Sequence, residues 1–340
     1  MFTTIEGSSA DELWVAALKL FEDGDFTSQA SRAGETKEIL HASLCLQNPR
    51  DRWILSRSPA INPAYALVEV IWILKGRRDS AFLNYFNRKL PQFAGNGETY
   101  HGAYGFRLRS NRGIDQMERA YQALKSNPET RQVVLQIWET ELDLPGPDGV
   151  PVAADVPCNI CSFLKIRNGK LEWTQIMRSN DLFRGLPYNI VQFTTLHEIM
   201  AGWLNVGVGA YHHFSDSLHL YQDTVLSKSH PAGHEYLVNR DYLGCTFEET
   251  SAILQQVEDL VHMIINPKAT PGDIVSAFGS LQVPEAWKNT TSIIVAEGLR
   301  RRGAVDHMDQ IVESGTNPVL KLLFNKWVAR TTGEVNSSKF

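Results

Sequence analysis

The chain has 340 residues, of which 43% are hydrophobic and 21% are charged, and its formal net charge is -5. This composition excludes a disordered or collagen-like chain. The mild acidity excludes a global basic field, so an anionic ligand would need a local cluster of arginines. Four cysteines are too few for a disulfide scaffold. Because the chain shows neither a signal-like start nor an apolar run of about 18 residues, we expect a cytoplasmic protein with reduced thiols.

The first part of the chain alternates predicted helices and strands. Residues 9–21 carry apolar side chains at helical spacing and predict an amphipathic helix. Residues 38–46 and 131–138 alternate well enough to predict strands. Residues 65–74 are densely apolar and predict a buried helix, and residues 114–124 predict another helix.

A β-hairpin is predicted where two strand-like runs, residues 158–166 and 170–177, flank an Asn-Gly pair. Asn-Gly between such runs is a strong signal for a two-residue turn. Counting outward from that turn places Cys158 opposite Ser179, with Arg178 one position away. A bulge would shift this register by one residue. The hairpin therefore brings a thiol, a guanidinium and a hydroxyl group together at its open end.

Beyond the hairpin, helices are predicted at residues 186–203, 246–263, 291–299 and 319–327. We therefore expect an α/β (α+β) fold in which a large mixed twisted sheet is flanked by helices. The division that we expect is a catalytic core over residues 1–235 and a helical C-terminal extension, packed on that core, over residues 236–340.

Cys158 and Cys161 form a C-x-x-C pair, which alone fits a redox pair, half a zinc site or two small core residues. No second such pair and no histidine spacing completes a zinc site, so we expect no metal. On a strand the two thiols would point to opposite faces. A thiolate needs nearby positive charge, for which Arg178, Arg32 and Arg131 are candidates. Several arginines beside one thiol suggest a bound dianion such as a phosphate.

Three ordered segments carry a resemblance to a known family: Val156-Pro-Cys158-Asn, the run from Met177 to Ile190, and Ser217-Leu-His-Leu-Tyr221. They resemble the thymidylate synthase and pyrimidine hydroxymethylase family over roughly residues 10 to 225. The resemblance implies C5 alkylation of a pyrimidine nucleoside monophosphate, with Cys158 adding to C6 of the ring. It implies 5,10-methylenetetrahydrofolate as the one-carbon donor and a homodimer whose sheets pack back to back. We expect neither a membrane nor a nucleic acid as partner.

The resemblance also assigns roles to further residues. Glu69 would relay protons near O4 of the ring, and Tyr104 would help to remove the C5 proton through water. Asn189 would read the edge of the base, because an amide can both donate and accept. Arg131 would reach the phosphate from the partner subunit. The other assignments are Arg178, Ser179 and Arg32 for the phosphate, His219 and Tyr221 for the sugar hydroxyl, and Asp181 for the pterin.

Some positions depart from the pattern of the methylating enzymes: Asn159 replaces a histidine, Gln132 an arginine, Met177 a glutamine, and Leu90 and Phe93 tryptophans. Less aromatic cover would let water reach the exocyclic methylene carbon and give a hydroxymethyl product, whereas hydride transfer from the folate gives a methyl group. Cytosine-specific members of the family tend to carry aspartate where this chain has Asn189, so the resemblance favours uracil, but an amide that turns over could still accept an amino group. We therefore place methylation of dUMP ahead of hydroxymethylation of CMP, dCMP or dUMP.

Two alternatives of other classes stay open. The basic run at residues 300–302, together with the changed phosphate ligand, is compatible with a non-catalytic protein that binds a nucleotide or nucleic acid. The C-x-x-C pair is compatible with a thiol–disulfide enzyme built on Cys158 and Cys161.

Overall fold

A computed structural model describes residues 2–24, 26, 28–31, 34–224 and 237–337, with residues 333–337 described by their backbone alone. Eight strands in this part of the chain form one sheet: β1 (Thr3–Gly7), β2 (Gln29–Ser31), β3 (Gly34–Leu46), β4 (Val134–Gln136), β5 (Asn159–Arg167), β6 (Lys170–Met177), β7 (Asn180–Asp181) and β8 (Gly207–Tyr221). Six strands follow one another as β1-β3-β8-β6-β5-β4, while β2 pairs with β3 and β7 with β8. Both parallel and antiparallel pairs occur, so the predicted mixed sheet is confirmed.

The described helices are α1 (Ala10–Asp23), α2 (Pro63–Leu74), α3 (Ser80–Asn84), α4 (Pro91–Ala94), α5 (Tyr104–Arg109), α6 (Gln116–Ser126), α7 (Thr140–Asp143), α8 (Leu186–Leu204), α9 (Phe247–Ile265), α10 (Pro271–Gly279), α11 (Glu285–Arg301), α12 (Val305–Ser314) and α13 (Pro318–Ser337). The long predicted helices are all present. Side-chain caps explain some of their ends: α6 begins later than predicted because the Asp115 carboxylate accepts the backbone N–H of Glu118. The strand predicted over residues 131–138 is shorter than expected and is reduced to β4.

The β5–β6 hairpin decides where the cysteine lies. The predicted register holds from the turn as far as Cys161. A bulge between Asn159 and Cys161 then shifts the pairing by one residue. The next backbone hydrogen bond runs from Arg178 N to Cys158 O, at 2.9 Å. The expectation that Ser179 stands opposite Cys158 is therefore wrong. Because of the bulge, Arg178 takes that place.

Two buried helices connect the sheet with the C-terminal region. Helix α8 packs on β6 and β8, and α2 packs on α8. Helices α9, α11 and α13 also contact α2, so the predicted helical C-terminal region is confirmed and joins the same core. The division at residue 235 stays a prediction, since residues 225–236 lie outside the described residues. None of the described helices combines the length and hydrophobicity that crossing a bilayer requires.

Glu198 on α8 holds three distant segments together in this core. Its side chain is 1% exposed. The Arg52 guanidinium donates to Oε2, and the backbone N–H of Leu243, which precedes α9, donates to Oε1 at 3.1 Å. A buried carboxylate is tolerated only with such partners.

We predict that Glu198→Ala lowers the free energy of unfolding by about 3–5 kcal/mol, because the Arg52 guanidinium would stay buried without its counter-charge. Glu129→Ala is the control, since the Glu129 side chain is 89% exposed and, among the described residues, makes only a long ion pair with Arg167. Urea unfolding of both variants measures the difference. Equal stability losses would contradict the assignment.

Candidate active site

Cys158 lies half-buried at the open end of the β5–β6 hairpin. Arg178 Nη2 is 3.8 Å from Cys158 Sγ. Two backbone carbonyls fix the guanidinium, because Nε donates to Pro157 O at 2.9 Å and Nη2 donates to Val156 O at 3.1 Å. The guanidinium also lies over the Trp138 ring, 5.6 Å from its centroid. A cation held this close to a sulfur atom stabilises a thiolate, which is the nucleophilic form of a cysteine.

Glu69 is the one residue of α2 that is not fully buried. The Tyr65 hydroxyl donates to its Oε1 at 2.9 Å, whereas the buried Oε2 accepts no hydrogen bond from the described residues. Burial raises the pKa of Glu69 to about 7, although the nearby Gln192 amide and Tyr65 hydroxyl act in the opposite direction. A carboxyl group with this pKa can take up and release a proton near neutral pH.

Tyr104 begins α5, and its ring centroid lies 6.2 Å from that of Phe193. Burial raises the pKa of Tyr104, and the negative charges of Cys158 and Asp155 raise it further, while the Asn159 side chain opposes the shift. The hydroxyl group therefore faces the same small region as the thiol and keeps its proton. Such a hydroxyl can orient a water molecule or donate to a ligand.

Ser179, His219 and Tyr221 lie together beside the open end of the hairpin. Ser179 Oγ is 3.4 Å from His219 Nδ1. The rings of His219 and Tyr221 meet edge to face, with 5.6 Å between their centroids. The pairing of β7 with β8 sets Asp181 beside His219. Four of the predicted site residues are therefore neighbours, although one pair lies 40 residues further along the sequence than the other.

Asp181 combines one satisfied oxygen with one that lacks a hydrogen bond. Oδ1 accepts the backbone N–H groups of Phe183 at 2.7 Å and Arg184 at 2.8 Å. Oδ2 is buried and accepts no hydrogen bond from the described residues, and Arg184 Nε lies 3.9 Å away. Burial raises the pKa of Asp181. A ligand with N–H donors, such as a pterin ring, fits this oxygen.

Asn189 lies in the first turn of α8, where its Nδ2 donates to Asn180 Oδ1 at 3.2 Å. Gln192 follows three residues later and lies near Glu69. Two buried amide side chains three residues apart lie on the same face of this helix and could have signalled a site-facing stripe. The residues of this region that sequence reasoning missed are Asp155, Asn180 and Gln192.

Two predicted arginines are not placed beside Cys158. Arg32 lies outside the described residues. Arg131 is exposed and precedes β4, which runs antiparallel to β5 from the pair Val134 and Phe163. Arg131 is therefore some eight residue spacings along β5 from Cys158, about 26 Å at ~3.3 Å per residue. Within one chain, Arg131 does not reach the thiol.

The positions that depart from the methylating enzymes have different surroundings. Asn159 is fully buried, and its Oδ1 accepts from Gln175 Nε2 at 2.9 Å. Leu90 packs against the core, whereas Phe93 is 46% exposed. Cys161 is a free thiol whose pKa is raised by burial, which opposes the ionisation that a redox pair requires. Among the described residues, no cluster of histidine, cysteine and acidic side chains could hold a metal ion.

The basic run at the end of α11 is held within the fold. Arg300 and Arg301 both donate to the buried Glu297 carboxylate, at 2.7 Å and 2.6 Å. Arg302 Nη2 donates to Ile264 O at 2.7 Å. These side chains serve the packing of the C-terminal helices, so this run does not support binding of a nucleic acid.

We predict that Glu69→Gln changes how stability depends on pH. A carboxyl group whose pKa rises from 4.5 to about 7 on folding stabilises the fold below pH 4.5, and this contribution is lost as the pH rises through 7. The variant lacks this loss, so its stability relative to the parent protein should increase by about 1–3 kcal/mol between pH 4.5 and pH 8. Unfolding curves at several pH values measure it. Parallel pH profiles would contradict the assignment, and Glu129→Gln is the matched exposed control.

Comparisons with known proteins identify the family. The family model described as thymidylate synthase matches residues 20–239. The deoxyuridylate hydroxymethyltransferase of Bacillus phage SP01 is 37% identical over 232 residues, which cover 65% of this chain and 59% of that protein. The deoxyuridylate hydroxymethyltransferase of Pseudomonas phage M6 is 36% identical over 185 residues, covering 54% of this chain and 51% of that protein.

A cellular relative is more distant. The thymidylate synthase of Coxiella burnetii (strain RSA 493 / Nine Mile phase I) is 27% identical over 207 residues, covering 57% of this chain and 75% of that protein. The chain thus spans between about half and three fifths of the length of the two phage relatives. The family match extends over well more than half of the chain and includes the hairpin, α2, α8 and β8. The chain belongs to the thymidylate synthase family.

Proposed function

We propose that the protein modifies C5 of dUMP through a covalent bond between Cys158 and C6, and that its product is 5-hydroxymethyl-dUMP. The observation that carries the chemistry is the Arg178 guanidinium, 3.8 Å from the Cys158 sulfur. The substrate and product are supported by the two phage relatives, which are both named deoxyuridylate hydroxymethyltransferase.

In this proposal the Cys158 thiolate adds to C6 and displaces the π electrons of the C5–C6 double bond. The ring thereby becomes an enolate, in which C5 is nucleophilic. Glu69 supplies a proton near O4 and takes it back, as its pKa of about 7 allows. 5,10-Methylenetetrahydrofolate would supply the one-carbon unit, since C5 bonds to its methylene carbon. Tyr104 holds the water molecule that takes up the C5 proton, and loss of this proton breaks the bond between that carbon and the folate nitrogen, so that tetrahydrofolate leaves. Addition of water to the exocyclic methylene group forms the enolate again, which expels the Cys158 sulfur and restores the C5–C6 double bond.

The remaining residues bind and orient the substrates. The bonds that fix Arg178 use Nε and Nη2, which leaves Nη1 for a phosphate oxygen. Ser179 and Arg32 would bind the same phosphate, and the adjoining His219 and Tyr221 would bind the sugar hydroxyl. Asp181 would accept a pterin N–H at Oδ2, whose lack of a hydrogen bond among the described residues supports this role. Asn189 would read the base.

Water decides the product. A hydroxymethyl group forms when water reaches the exocyclic methylene carbon, and a methyl group forms when the folate delivers hydride there. Leu90 and the half-exposed Phe93 stand where methylating enzymes have tryptophans, which supports access for water. Methylation stays the second candidate, supported by the thymidylate synthase relative. The higher identity to the hydroxymethyltransferases reverses the order expected from the sequence.

We also propose that the protein is a homodimer in which Arg131 completes the phosphate site of the partner subunit. The separation of about 26 Å between Arg131 and Cys158 along β5 supports a role in another subunit. Four cysteines in 340 residues are too few for a disulfide scaffold, which supports a reducing compartment, and we place the enzyme in the cytoplasm.

The chemistry is tested with nucleotides that carry tritium at C5. We predict that dUMP releases tritium in the presence of methylenetetrahydrofolate, faster than UMP, dCMP or CMP, and without formation of dihydrofolate. Dihydrofolate in equal amount would instead identify methylation. Cys158→Ala should lower tritium release by at least about 10³-fold, because the nucleophile is lost. If no nucleotide loses its C5 tritium, the proposed function is wrong.

The shared site is tested by mixing two inactive variants. We predict that Cys158→Ala and Arg131→Ala are each severely impaired, and that activity returns when the two are unfolded and refolded together. A mixed dimer holds one site that combines an intact Cys158 with an intact Arg131 from the other subunit. If Arg131 serves its own chain, mixing restores nothing. Refolding each variant alone is the control.

A further inference from the structure

A buried chain of hydrogen bonds ends on the amide of Asn189, and we propose that Met177 fixes the direction of this chain and thereby which pyrimidine base the site accepts. The inference rests on the proposed function, because it assumes that Asn189 reads the base. It adds the residues that hold the amide in one orientation.

This chain of hydrogen bonds runs from the site into the core of the sheet. Asn189 Nδ2 donates to Asn180 Oδ1 at 3.2 Å, and Asn180 Nδ2 lies 3.3 Å from Met177 Sδ and 2.9 Å from His213 Nε2. His213 Nδ1 is in turn 3.0 Å from the Tyr211 hydroxyl. All five residues are buried, and none of the five is more than 8% exposed. Water is therefore excluded from most of the chain, and its members must satisfy one another.

The His213 ring can form its two hydrogen bonds in either direction. Burial lowers the pKa of His213 to about 3, so the ring is neutral and carries one N–H group. If Nε2 accepts from Asn180, then Nδ1 carries the proton and donates to Tyr211. If Nε2 carries the proton, it donates to Asn180, and Nδ1 accepts from the Tyr211 hydroxyl. Both directions satisfy the histidine and the tyrosine.

Met177 makes one of the two hydrogen-bonding directions lower in free energy than the other. In the observed direction Asn180 turns its amino group toward both the sulfur and His213, and its oxygen accepts from Asn189. In the reverse direction the Asn180 oxygen would face Met177 Sδ. A thioether sulfur accepts weakly and cannot donate, so two acceptors would then face each other in a buried place. Met177 is thus the link of this chain that favours one direction.

The direction of these hydrogen bonds decides how the oxygen and the amino group of the Asn189 amide are oriented toward the base. Among the described residues, the Asn189 side chain has a single hydrogen bond, from Nδ2 to Asn180, so its oxygen and second N–H stay available. Uracil offers N3–H and O4, whereas cytosine offers N3 and an amino group, so each base requires the opposite orientation of the amide. An amide that cannot turn over reads one of them. With dUMP as the substrate, the observed direction is the one that reads uracil.

The test compares the dissociation constants of dUMP and dCMP by calorimetry. Met177→Leu keeps the side-chain volume but removes the sulfur atom that favours one direction of hydrogen bonding. Asn180→Ala removes the oxygen that accepts from Asn189, so that the Asn189 amide can turn over. We predict that the parent protein binds dUMP more tightly than dCMP. In each variant the ratio of the dCMP to the dUMP dissociation constant should fall at least about fivefold, as the loss of one buried polar constraint implies. Tyr211→Phe is the control, because the hydroxyl satisfies both directions equally. It should lower stability and leave the preference within about twofold.

The outcomes separate the two proposals. If the parent protein prefers dUMP and both Met177→Leu and Asn180→Ala keep that preference, the inference is wrong while the proposed function stands. If Tyr211→Phe narrows the preference as much as Met177→Leu does, the chain matters only for packing and the inference is again wrong. If the parent protein binds neither nucleotide, the proposed function fails and the inference fails with it.

Discussion

The contact between the Arg178 guanidinium and the Cys158 sulfur is the interaction on which the account of this site depends. It exists because a bulge in the β5–β6 hairpin shifts the pairing by one residue and sets the arginine directly opposite the cysteine. The carbonyl groups of Val156 and Pro157 then hold the guanidinium in place. Backbone geometry alone therefore puts a fixed positive charge beside a half-buried thiol before any ligand binds.

In the same region, several buried polar atoms have no hydrogen-bond partner among the described residues. They include Glu69 Oε2, Asn159 Nδ2, Asp181 Oδ2 and Gln192 Oε1. Folded proteins satisfy nearly all such atoms, which supports the proposal that a bound ligand supplies their partners. Their desolvation costs stability, as the raised pKa values of Glu69 and Asp181 express. The extensive apolar core that includes α2, α8 and the C-terminal helices offsets this cost.

The sequence predicted the elements that local patterns determine. The Asn-Gly turn predicted the hairpin, and apolar spacing predicted α1, α2 and α8. The position of the bulge could not be predicted, because it depends on how Asn159 and its neighbours pack between two strands. The long-range partners were equally hidden: nothing local shows that Asn180 meets His213 or that Asp155 comes near Tyr104. The resemblance identified most of the candidate site residues, and only the geometry relates them to one another.

The central claim, a covalent bond from the Cys158 sulfur to C6 of the pyrimidine, can be tested by trapping. A fluorine atom at C5 cannot leave as a cation, so 5-fluoro-dUMP with methylenetetrahydrofolate should stop the reaction after both new bonds have formed. Mass spectrometry of the digested protein should then find nucleotide and folate together on the peptide that contains Cys158. Complete absence of this adduct, or its attachment to another residue, would contradict the account.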